Sequence, residues 1–152
     1  MGIKEKVQVI VVRKTDNVEE NRIISEMLIK NKVANDISHS SINYIIEDNC
    51  KIVGGCNFDI SSGYSIINFL IIDEDRRGEK LGDGLLRSIL NYCLINGITK
   101  AFFIGENQYF LSKGFSYASK ALIPDILKDS VTILECDIEE FFKKGCSSCK
   151  RS

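Results

Sequence analysis

Residues 64–84, YSIINFLIIDEDRRGEKLGDG, are the stretch of sequence that best indicates the fold. Its apolar part, Tyr64–Ile72, lacks the alternation of a strand with one wet face, so it predicts a strand covered on both faces. The charged residues 73–80 follow, and apolar residues then recur at helical spacing from Leu81 to Leu94. The stretch therefore predicts a buried strand, a charged loop and a helix that begins near Leu81.

The chain after this helix predicts a second buried strand. Asn96 and Gly97 are typical of a helix C-terminus, and the strand-like residues 99–104, TKAFFI, follow. A strand, a helix and a second strand in this order predict a right-handed crossover between parallel neighbours. Farther along we expect a short helix at residues 108–113 ended by Gly114, and strands at residues 115–119 and 131–136.

The chain before residue 64 predicts a strand, an amphipathic helix and a pair of strands. The β-branched residues 6–13 predict the first strand, and Asp16 or Asn17 caps a helix that runs to about Asn31. One stripe of that helix is expected to face a sheet: Val18, Ile24, Met27 and Leu28. The pair of strands is predicted at residues 42–47 and 51–60, with a turn at Asp48, Asn49 and Cys50.

The composition is that of an ordinary globular domain. The 152 residues are 44% hydrophobic and 27% charged, and 20 basic against 21 acidic residues leave a net charge of -1. This balance offers no surplus of cations to a phosphate backbone, so nucleic acid is not an expected partner. Since no apolar run is long enough for a signal peptide or a membrane span, we expect no membrane partner and a cytoplasmic location. Residues 1–152 are predicted to form one domain, with residues 139–152 as a helical turn and a polar tail that contains cysteines.

The six cysteines do not indicate a disulfide framework in this sequence. Four lie in strand-like and helix-like segments and are interpreted as small buried or half-buried thiols: Cys50, Cys56, Cys93 and Cys136. Cys146 and Cys149 form a CxxC, which leaves open half a zinc site, a redox pair or no role. Because a closed zinc site needs four ligands and His39 is the only histidine, no metal is predicted.

The segment at residues 76–84 is the one that points to chemistry. The first turn of a helix presents backbone N–H groups and a partial positive charge, so a glycine-containing entry to a helix can bind phosphate. A P-loop would need GxxxxGK followed by Ser or Thr, which the sequence lacks. A dinucleotide fingerprint that starts at Gly82 would need a third glycine where Arg87 stands. Neither motif therefore explains the segment.

The spacing of this segment resembles motif A of the GCN5-related N-acetyltransferases, a Gln or Arg, two residues, Gly, any residue, then Gly or Ala. Arg77 aligns with the first position and Gly82 with the last. The apolar triplet at residues 70–72 precedes the motif as in that family, and YFLSKGF at residues 109–115 resembles the family's later signature FYxKxGF. The resemblance covers most of residues 6–136. It implies an α/β (α+β) fold with a mixed, mostly antiparallel sheet of about six to seven strands, flanking helices and a central strand–helix–strand acetyl-CoA site.

The resemblance implies an acyl-CoA-dependent N-acyltransferase, in which an amine attacks acetyl-CoA directly. The pyrophosphate of the cofactor would bind the backbone of residues 78–83, and its pantetheine chain would pair with residues 70–72 like an added strand. The acceptor is expected to be a small-molecule or peptide amine, held by residues 33–41 and 120–130, and the protein to be a monomer or a homodimer. The implied cofactor-binding residues are Leu70, Ile71, Ile72, Arg77, Gly78, Glu79, Lys80, Leu81, Gly82, Asp83 and Phe110.

The chain departs from the family pattern at the positions that carry catalysis. The family's usual acid, a tyrosine, aligns with Phe110, which has no proton to give to the leaving thiolate. Tyr109 is a candidate acid if the short helix is rotated; otherwise Phe110 flanks the thioester sulfur and Tyr109 lies in the core. Asn68 and Ile66, on the same strand face as residues 70 and 72, cannot act as a base, so Glu106 is the candidate carboxylate.

A further departure lies at Lys80, which aligns with the first glycine of the motif. We expect the Lys80 backbone to keep an ordinary helical φ, and its side chain to point away from the pyrophosphate or to reach a phosphate oxygen. The departures leave two alternatives open, a catalytically weak or inactive acyl-CoA-binding sensor or accessory protein of the same fold, and a thiol-redox or zinc protein that uses Cys146 and Cys149.

Overall fold

A computed structural model describes residues 8–33, 41–119, 123–129 and 132–149. The strands are β1 (Ile10–Lys14), β2 (Ile42–Asp48), β3 (Lys51–Ser61), β4 (Tyr64–Ile72), β5 (Lys100–Ile104), β6 (Ser116–Tyr117) and β7 (Ile133–Asp137). The helices are α1 (Val18–Lys30), α2 (Leu81–Ile95), α3 (Gln108–Ser112) and α4 (Ile138–Cys149), with 3-10 turns at Glu74–Arg76 and Asp125–Leu127.

The strands form one seven-stranded sheet in the order β1-β2-β3-β4-β5-β7-β6. β4 and β5 run parallel, as the crossover through α2 predicts, whereas β1 and β2, β5 and β7, and β6 and β7 are antiparallel. The parallel register runs from the pair Tyr64 and Lys100 to the pair Ile67 and Phe103. β4 continues past this register to Ile72, so its last residues lie beyond the ladder with β5. The predicted mixed, mostly antiparallel sheet is confirmed.

The residues group into two compact units, of which the first comprises Met1–Asn57 and Phe69–Ser88. Its core forms where α1 packs against β2 and β4, and it contains Ile24, Met27, Leu28, Ile45, Phe69 and Ile71. Gly55 on β3 allows this close approach, because a Cβ there would lie 2.6 Å from Cδ1 of Ile24. Asn17 caps α1 as predicted, since its side chain accepts a hydrogen bond from the Glu20 N–H.

The second unit comprises Phe58–Asn68 and Ile89–Ser152. One of its apolar clusters joins β5, β7 and the turn at Asp125–Leu127 through Phe102, Ile123, Leu127 and Ile133. Tyr64 and Ile66 of β4 pack against this cluster from their half-buried side. Burial therefore alternates along β4, so that one face is buried and the other is partly covered.

Several boundary and burial predictions need correction. β1 begins at Ile10, and residues 6 and 7 of the predicted first strand lie outside the described residues. Val18 is 79% exposed because it is the first residue of α1, before the helix reaches the sheet. Cys50 is exposed because Asn49 and Cys50 both have positive φ, 51° and 69°, as a two-residue hairpin turn requires. Cys56, Cys93 and Cys136 are buried as predicted.

The C-terminal segment is more regular than predicted. α4 occupies Ile138–Cys149 in place of a single helical turn and a polar tail. Its first turn is tied to the sheet, because the Ile138 N–H donates to the Thr99 carbonyl at 2.9 Å. The predictions for the thiols of Cys146 and Cys149 and for His39 fall outside the side chains that the structure describes.

Candidate active site

The loop between β4 and α2 has a backbone shaped for a tight entry to the helix. The Asp73 N–H donates to the Val53 carbonyl at 2.7 Å, which ties the start of the loop to β3. Gly78 and Lys80 both adopt left-handed conformations, with φ values of 85° and 62°. The two reversals direct the chain into α2, which begins at Leu81.

The conformation of Lys80 corrects the expectation of an ordinary helical φ. A left-handed φ is uncommon for a residue with a Cβ and costs about 1–2 kcal/mol, whereas glycine adopts it freely. Lys80 therefore keeps the backbone shape for which glycine is suited, and its exposed side chain extends from that backbone. The backbone conformation of the loop is therefore kept although lysine stands where the motif has glycine.

The N-terminus of α2 presents N–H groups at the end of this loop. The Gly84 N–H donates to the Lys80 carbonyl at 3.4 Å, closing the first turn. The N–H groups of Leu81 and Gly82 precede that bond, and helix geometry gives such groups no acceptor within the helix. Together with the helix dipole, these groups can bind an anion such as a pyrophosphate.

Arg76 links the loop to its own later residues and to the end of β2. Its Nε and an Nη of its guanidinium donate to the two carboxylate oxygens of Glu79 at 2.9 and 3.0 Å, and Nη2 also lies 2.5 Å from Oδ2 of Asp48. These hydrogen bonds hold the pKa of both carboxyl groups, Asp48 and Glu79, below their usual range. The bidentate contact engages the Glu79 carboxylate, so its charge is opposed by Arg76 next to the helix N-terminus.

Arg77, the first residue of the motif, binds protein groups in this structure. Its Nε donates to the Ile72 carbonyl at 3.2 Å, and Nη2 donates to Oδ1 of Asn31 at 2.8 Å. Asn31 is the C-cap residue of α1, so Arg77 connects the loop to the ends of β4 and α1. This arrangement gives the motif arginine a role in positioning the loop.

In the second unit, the structure decides between the two placements considered for the neighbouring aromatic residues of α3. Phe110 is 1% exposed, and its ring centroid lies 4.8 Å from that of Phe103 and 4.9 Å from that of Phe115. Tyr109 is half-buried, contacts Phe110 edge-on, and has the Lys113 ammonium 5.6 Å from its ring centroid. Phe110 is therefore the core residue, and the expectation that Tyr109 fills the core is wrong.

Glu106 is paired with a tyrosine that the sequence reasoning missed. The Tyr117 hydroxyl donates to the Glu106 carboxylate at 2.8 Å, with the second oxygen at 3.1 Å, and both residues are exposed. This hydrogen bond raises the pKa of Tyr117, so the phenol keeps its proton. The sequence indicates the position of Tyr117 only through the short strand predicted after Gly114. In the structure this strand is β6, which pairs with β7.

The sequence reasoning also missed a carboxylate beside Asn68. The Asn68 side-chain amide on β4 donates to Oδ2 of Asp59 on β3 at 2.9 Å, and both side chains are half-buried. Asp59 lies in a segment of β3 with no motif around it. The alternation of side chains along two adjacent strands was the signal that could have found it.

The structure thus divides the predicted site residues between the two units. The first unit contains Leu70, Ile71, Ile72, Arg77, Gly78, Glu79, Lys80, Leu81, Gly82 and Asp83. The second contains Glu106, Tyr109 and Phe110, together with Asp59, Asn68 and Tyr117. Among the described residues, no group of three or more His, Cys, Asp or Glu side chains is arranged to hold a metal ion. No helix in the described ranges is long and apolar enough to span a membrane.

The arrangement of strands and helices is that of the GCN5-related N-acetyltransferase fold, as the resemblance in sequence implied. The chain is similar to the N-acetylglutamate synthase of Neisseria gonorrhoeae, solved with coenzyme A and L-arginine, with a TM-score of 0.72 and 17% identity. That match covers 84% of this chain and 33% of the synthase chain, so the present chain spans about a third of its length.

Smaller acetyltransferases match over nearly their whole length. An acetyltransferase of the GNAT family from Staphylococcus aureus Mu50 has a TM-score of 0.65 and 16% identity, over 86% of this chain and 99% of its own. The ribosomal-protein-S18-alanine N-acetyltransferase of Escherichia coli has a TM-score of 0.63 and 14% identity, over 86% and 94%. No protein-family model matches the sequence, and no curated protein matches it. The likeness at these identities defines the fold.

Proposed function

We propose that residues 1–152 form one acetyltransferase domain that transfers an acetyl group from acetyl-CoA to an amine. The observation that carries the proposal is the loop before α2, where Gly78 and Lys80 adopt left-handed conformations and deliver the chain to a helix N-terminus. The solved synthase with the same fold binds coenzyme A, which is a pyrophosphate ligand of the kind this loop suits.

The loop fits an anionic cofactor in charge as well as in shape. The Glu79 carboxylate is opposed by Arg76, and the Lys80 ammonium adds an exposed positive charge beside the N-terminus of α2. In our proposal the N–H groups of residues 78–83 bind the pyrophosphate, and the Lys80 ammonium contacts a phosphate oxygen. Leu70 and Ile72, on the half-buried face of β4, then contact the pantetheine chain, which pairs with the strand beyond its ladder with β5.

The reaction needs no covalent enzyme intermediate. The amine nitrogen attacks the carbonyl carbon of the thioester, the carbon–sulfur bond breaks, and the sulfur leaves as a thiolate. The amine loses one proton and the thiolate takes one up. We assign Tyr109 as the candidate donor to the thiolate, since Phe110 is buried and has no hydroxyl, and Glu106 as the candidate acceptor of the amine proton.

Two observations bear on the class of acceptor. The Neisseria synthase is named for N-acetylglutamate and was also solved with it, and the Escherichia coli enzyme is named for an alanine of a ribosomal protein. The same fold therefore accommodates enzymes named for a small molecule and for a protein. A small-molecule or peptide amine is accordingly the acceptor class that we propose.

A thermal melt with acetyl-CoA tests the proposal. At a concentration 100 times its Kd, the cofactor is expected to stabilise the protein by about 2.7 kcal/mol. Release of free CoA thiol with a panel of amines then tests turnover. A melt that millimolar acetyl-CoA leaves unchanged would contradict cofactor binding, while stabilisation without thiol release would support the acyl-CoA-binding sensor.

A further inference from the structure

We propose that Arg76 keeps the N-terminus of α2 open for the cofactor by holding the carboxylate of Glu79 away from it. This inference rests on the proposed acetyltransferase function and adds a positioning residue to its cofactor loop. Arg76 precedes the motif arginine, Arg77, and the motif assigns it no role. All the residues that the inference uses belong to the first unit.

The first support is that α2 differs from α1, α3 and α4 in the residue before its first turn. Asn17 before α1 and Asn107 before α3 each accept a hydrogen bond from a backbone N–H of the first turn. Asp137 does the same for α4, since its Oδ1 accepts from the Glu140 N–H at 3.1 Å. Lys80 stands in this position before α2, and an ammonium has donors and no acceptor. The residue before α2 therefore cannot cap its first N–H groups, which suits them to an anion from outside the helix.

The second support is the position of Glu79 in the chain. It lies between the two left-handed residues, Gly78 and Lys80, and so only two residues before α2 begins. A carboxylate this close to a helix N-terminus is attracted by the helix dipole and can accept hydrogen bonds from the first N–H groups. Glu79 is therefore an internal anion that can take the place of the pyrophosphate.

The third support is the way in which Arg76 holds this carboxylate. Its Nε and Nη2 donate to the two oxygens of Glu79 at 2.9 and 3.0 Å, so both oxygens face the guanidinium. Such a two-point contact determines the direction of the carboxylate as well as its distance. Arg76 is in turn tied to β2, because Nη2 also lies 2.5 Å from Oδ2 of Asp48, whose side chain is only 11% exposed. The carboxylate of Glu79 is thus directed toward a guanidinium that is anchored on β2.

Removal of the guanidinium should release the carboxylate of Glu79. The side chain is then free to turn toward the N–H groups of Leu81 and Gly82 and to cap α2. The pyrophosphate would have to compete with this carboxylate for the same N–H groups, and it would also meet a negative charge that no guanidinium opposes. Loss of Arg76 should therefore weaken CoA binding through Glu79, without any contact between Arg76 and the cofactor.

The experiment is a double-mutant cycle on the affinity for CoA, measured by isothermal titration of the full chain. Arg76→Gln should raise the Kd for CoA about 3- to 10-fold, the effect of one charge close to an anion near the protein surface. In a Glu79→Ala background, which has no carboxylate to release, Arg76→Gln should change the Kd less than about twofold. Glu79→Ala alone should bind CoA at least as tightly as the wild type, since it removes a negative charge.

Arg22→Gln provides the matched control. Arg22 on α1 also donates to a glutamate three residues away, since its Nη2 lies 2.9 Å from Oε2 of Glu19. The change removes the same charge from the same unit without touching the loop, so the Kd for CoA should change less than about twofold. An equal effect of Arg76→Gln in both backgrounds would overturn the proposal, because Arg76 would then act through its own charge or through the fold of the loop. An equal effect of Arg22→Gln and Arg76→Gln would also overturn it.

A measurement without ligand separates this inference from the proposed function. Amide-detected NMR follows the N–H resonances of Leu81 and Gly82 in the wild type and in the variants. We expect Arg76→Gln to move these resonances downfield, as hydrogen bonding to a carboxylate does, and the double variant with Glu79→Ala to reverse the shift. Unchanged resonances in Arg76→Gln would overturn the inference even if the wild type binds CoA. A wild type that does not bind CoA counts against the proposed function, whereas the shift and its reversal would still support the role of Arg76.

Discussion

The loop before α2 and the helix α3 both depart from the family pattern by one residue, and the consequences differ. In the loop, Lys80 stands where a glycine is expected, yet the backbone adopts a φ of 62° that suits glycine. In α3, Phe110 stands where a tyrosine is expected, and its ring is buried among Phe103 and Phe115. A site that binds through backbone N–H groups tolerates a new side chain at the cost of strain. A hydroxyl, by contrast, cannot be supplied by phenylalanine, so at this position the change of residue removes a proton donor.

The largest effect is expected from removing the ring that α3 buries. Phe110→Ala should lower the free energy of unfolding by about 3–5 kcal/mol, because it deletes a fully buried aromatic side chain. Urea unfolding followed by circular dichroism measures the loss. Tyr109→Phe is the control and should cost less than about 1 kcal/mol, since only a hydroxyl is removed from a half-buried ring. Similar losses in both variants would show that α3 is rotated relative to our description.

Restoring the family's tyrosine is the second test of the same helix. Phe110→Tyr places a hydroxyl inside an aromatic cluster, where an unpaired polar group costs about 1–3 kcal/mol. We therefore expect this variant to be less stable and no faster in acetyl transfer. If its hydroxyl instead reached the thioester sulfur, the variant would regain a proton donor and kcat would rise. Unfolding and steady-state kinetics decide between the two outcomes, and a tenfold rise in kcat would refute the buried placement.

The loop is tested by adding charge where the pyrophosphate would bind. Gly82→Glu should weaken CoA binding at least about tenfold, or about 1.4 kcal/mol, because it adds a negative side chain in the first turn of α2. Gly84→Ala should change CoA affinity less than about twofold. A Cβ at Gly84 meets no atom within 4 Å, and alanine favours the helix by about 1 kcal/mol. Isothermal titration of both variants with CoA makes the measurement, and equal losses would mean that the phosphate lies elsewhere.

A smaller effect is expected from relieving the strain at Lys80. Lys80→Gly should raise the free energy of unfolding by about 1 kcal/mol, because glycine adopts the left-handed φ without a steric cost. Lys80→Ala keeps the Cβ and removes the charge, so it should retain the strain. Both variants should lose CoA affinity to the same extent if the ammonium contacts a phosphate. Chemical unfolding of the two variants without ligand separates conformation from charge, and equal stability would exclude strain at this residue.

The smallest effect concerns the ion pair that ties the loop to β2. The hydrogen bond from Arg76 lowers the pKa of Asp48 in the folded state, so the pair stabilises the protein at pH values above the ordinary aspartate pKa. This stabilisation is lost as the pH falls through the lowered pKa. The difference in melting temperature between the wild type and Asp48→Asn should therefore be larger at pH 7 than at pH 3. A difference that does not change with pH would show that the charge of Asp48 contributes nothing.

The local pattern of the sequence was sufficient for most of the fold and for the position of the loop before α2. The apolar run of β4, the helical spacing that begins at Leu81 and the glycine after α3 depend on contacts within a few residues, and the structure confirms all three elements. The parallel pairing of β4 and β5 also followed, because chain chirality restricts a strand–helix–strand unit to few arrangements. Backbone-based features are predictable in this way since they need only suitable neighbours along the chain.

The tertiary structure alone decided which side chains meet. The amide of Asn68 reaches Asp59 across two strands, and the hydroxyl of Tyr117 reaches Glu106 from β6, pairs that no spacing in the sequence marks. It likewise decided that Phe110 is buried, since the rotation of a five-residue helix is determined by the rings that pack against it. The left-handed Lys80 has the same origin, because a loop held by the hydrogen bonds of Arg76 and Arg77 adopts a conformation that lysine alone disfavours. Residue identity and spacing set local conformational preferences. Packing between distant segments overrides these preferences where the free energy of many contacts exceeds the conformational cost at one residue.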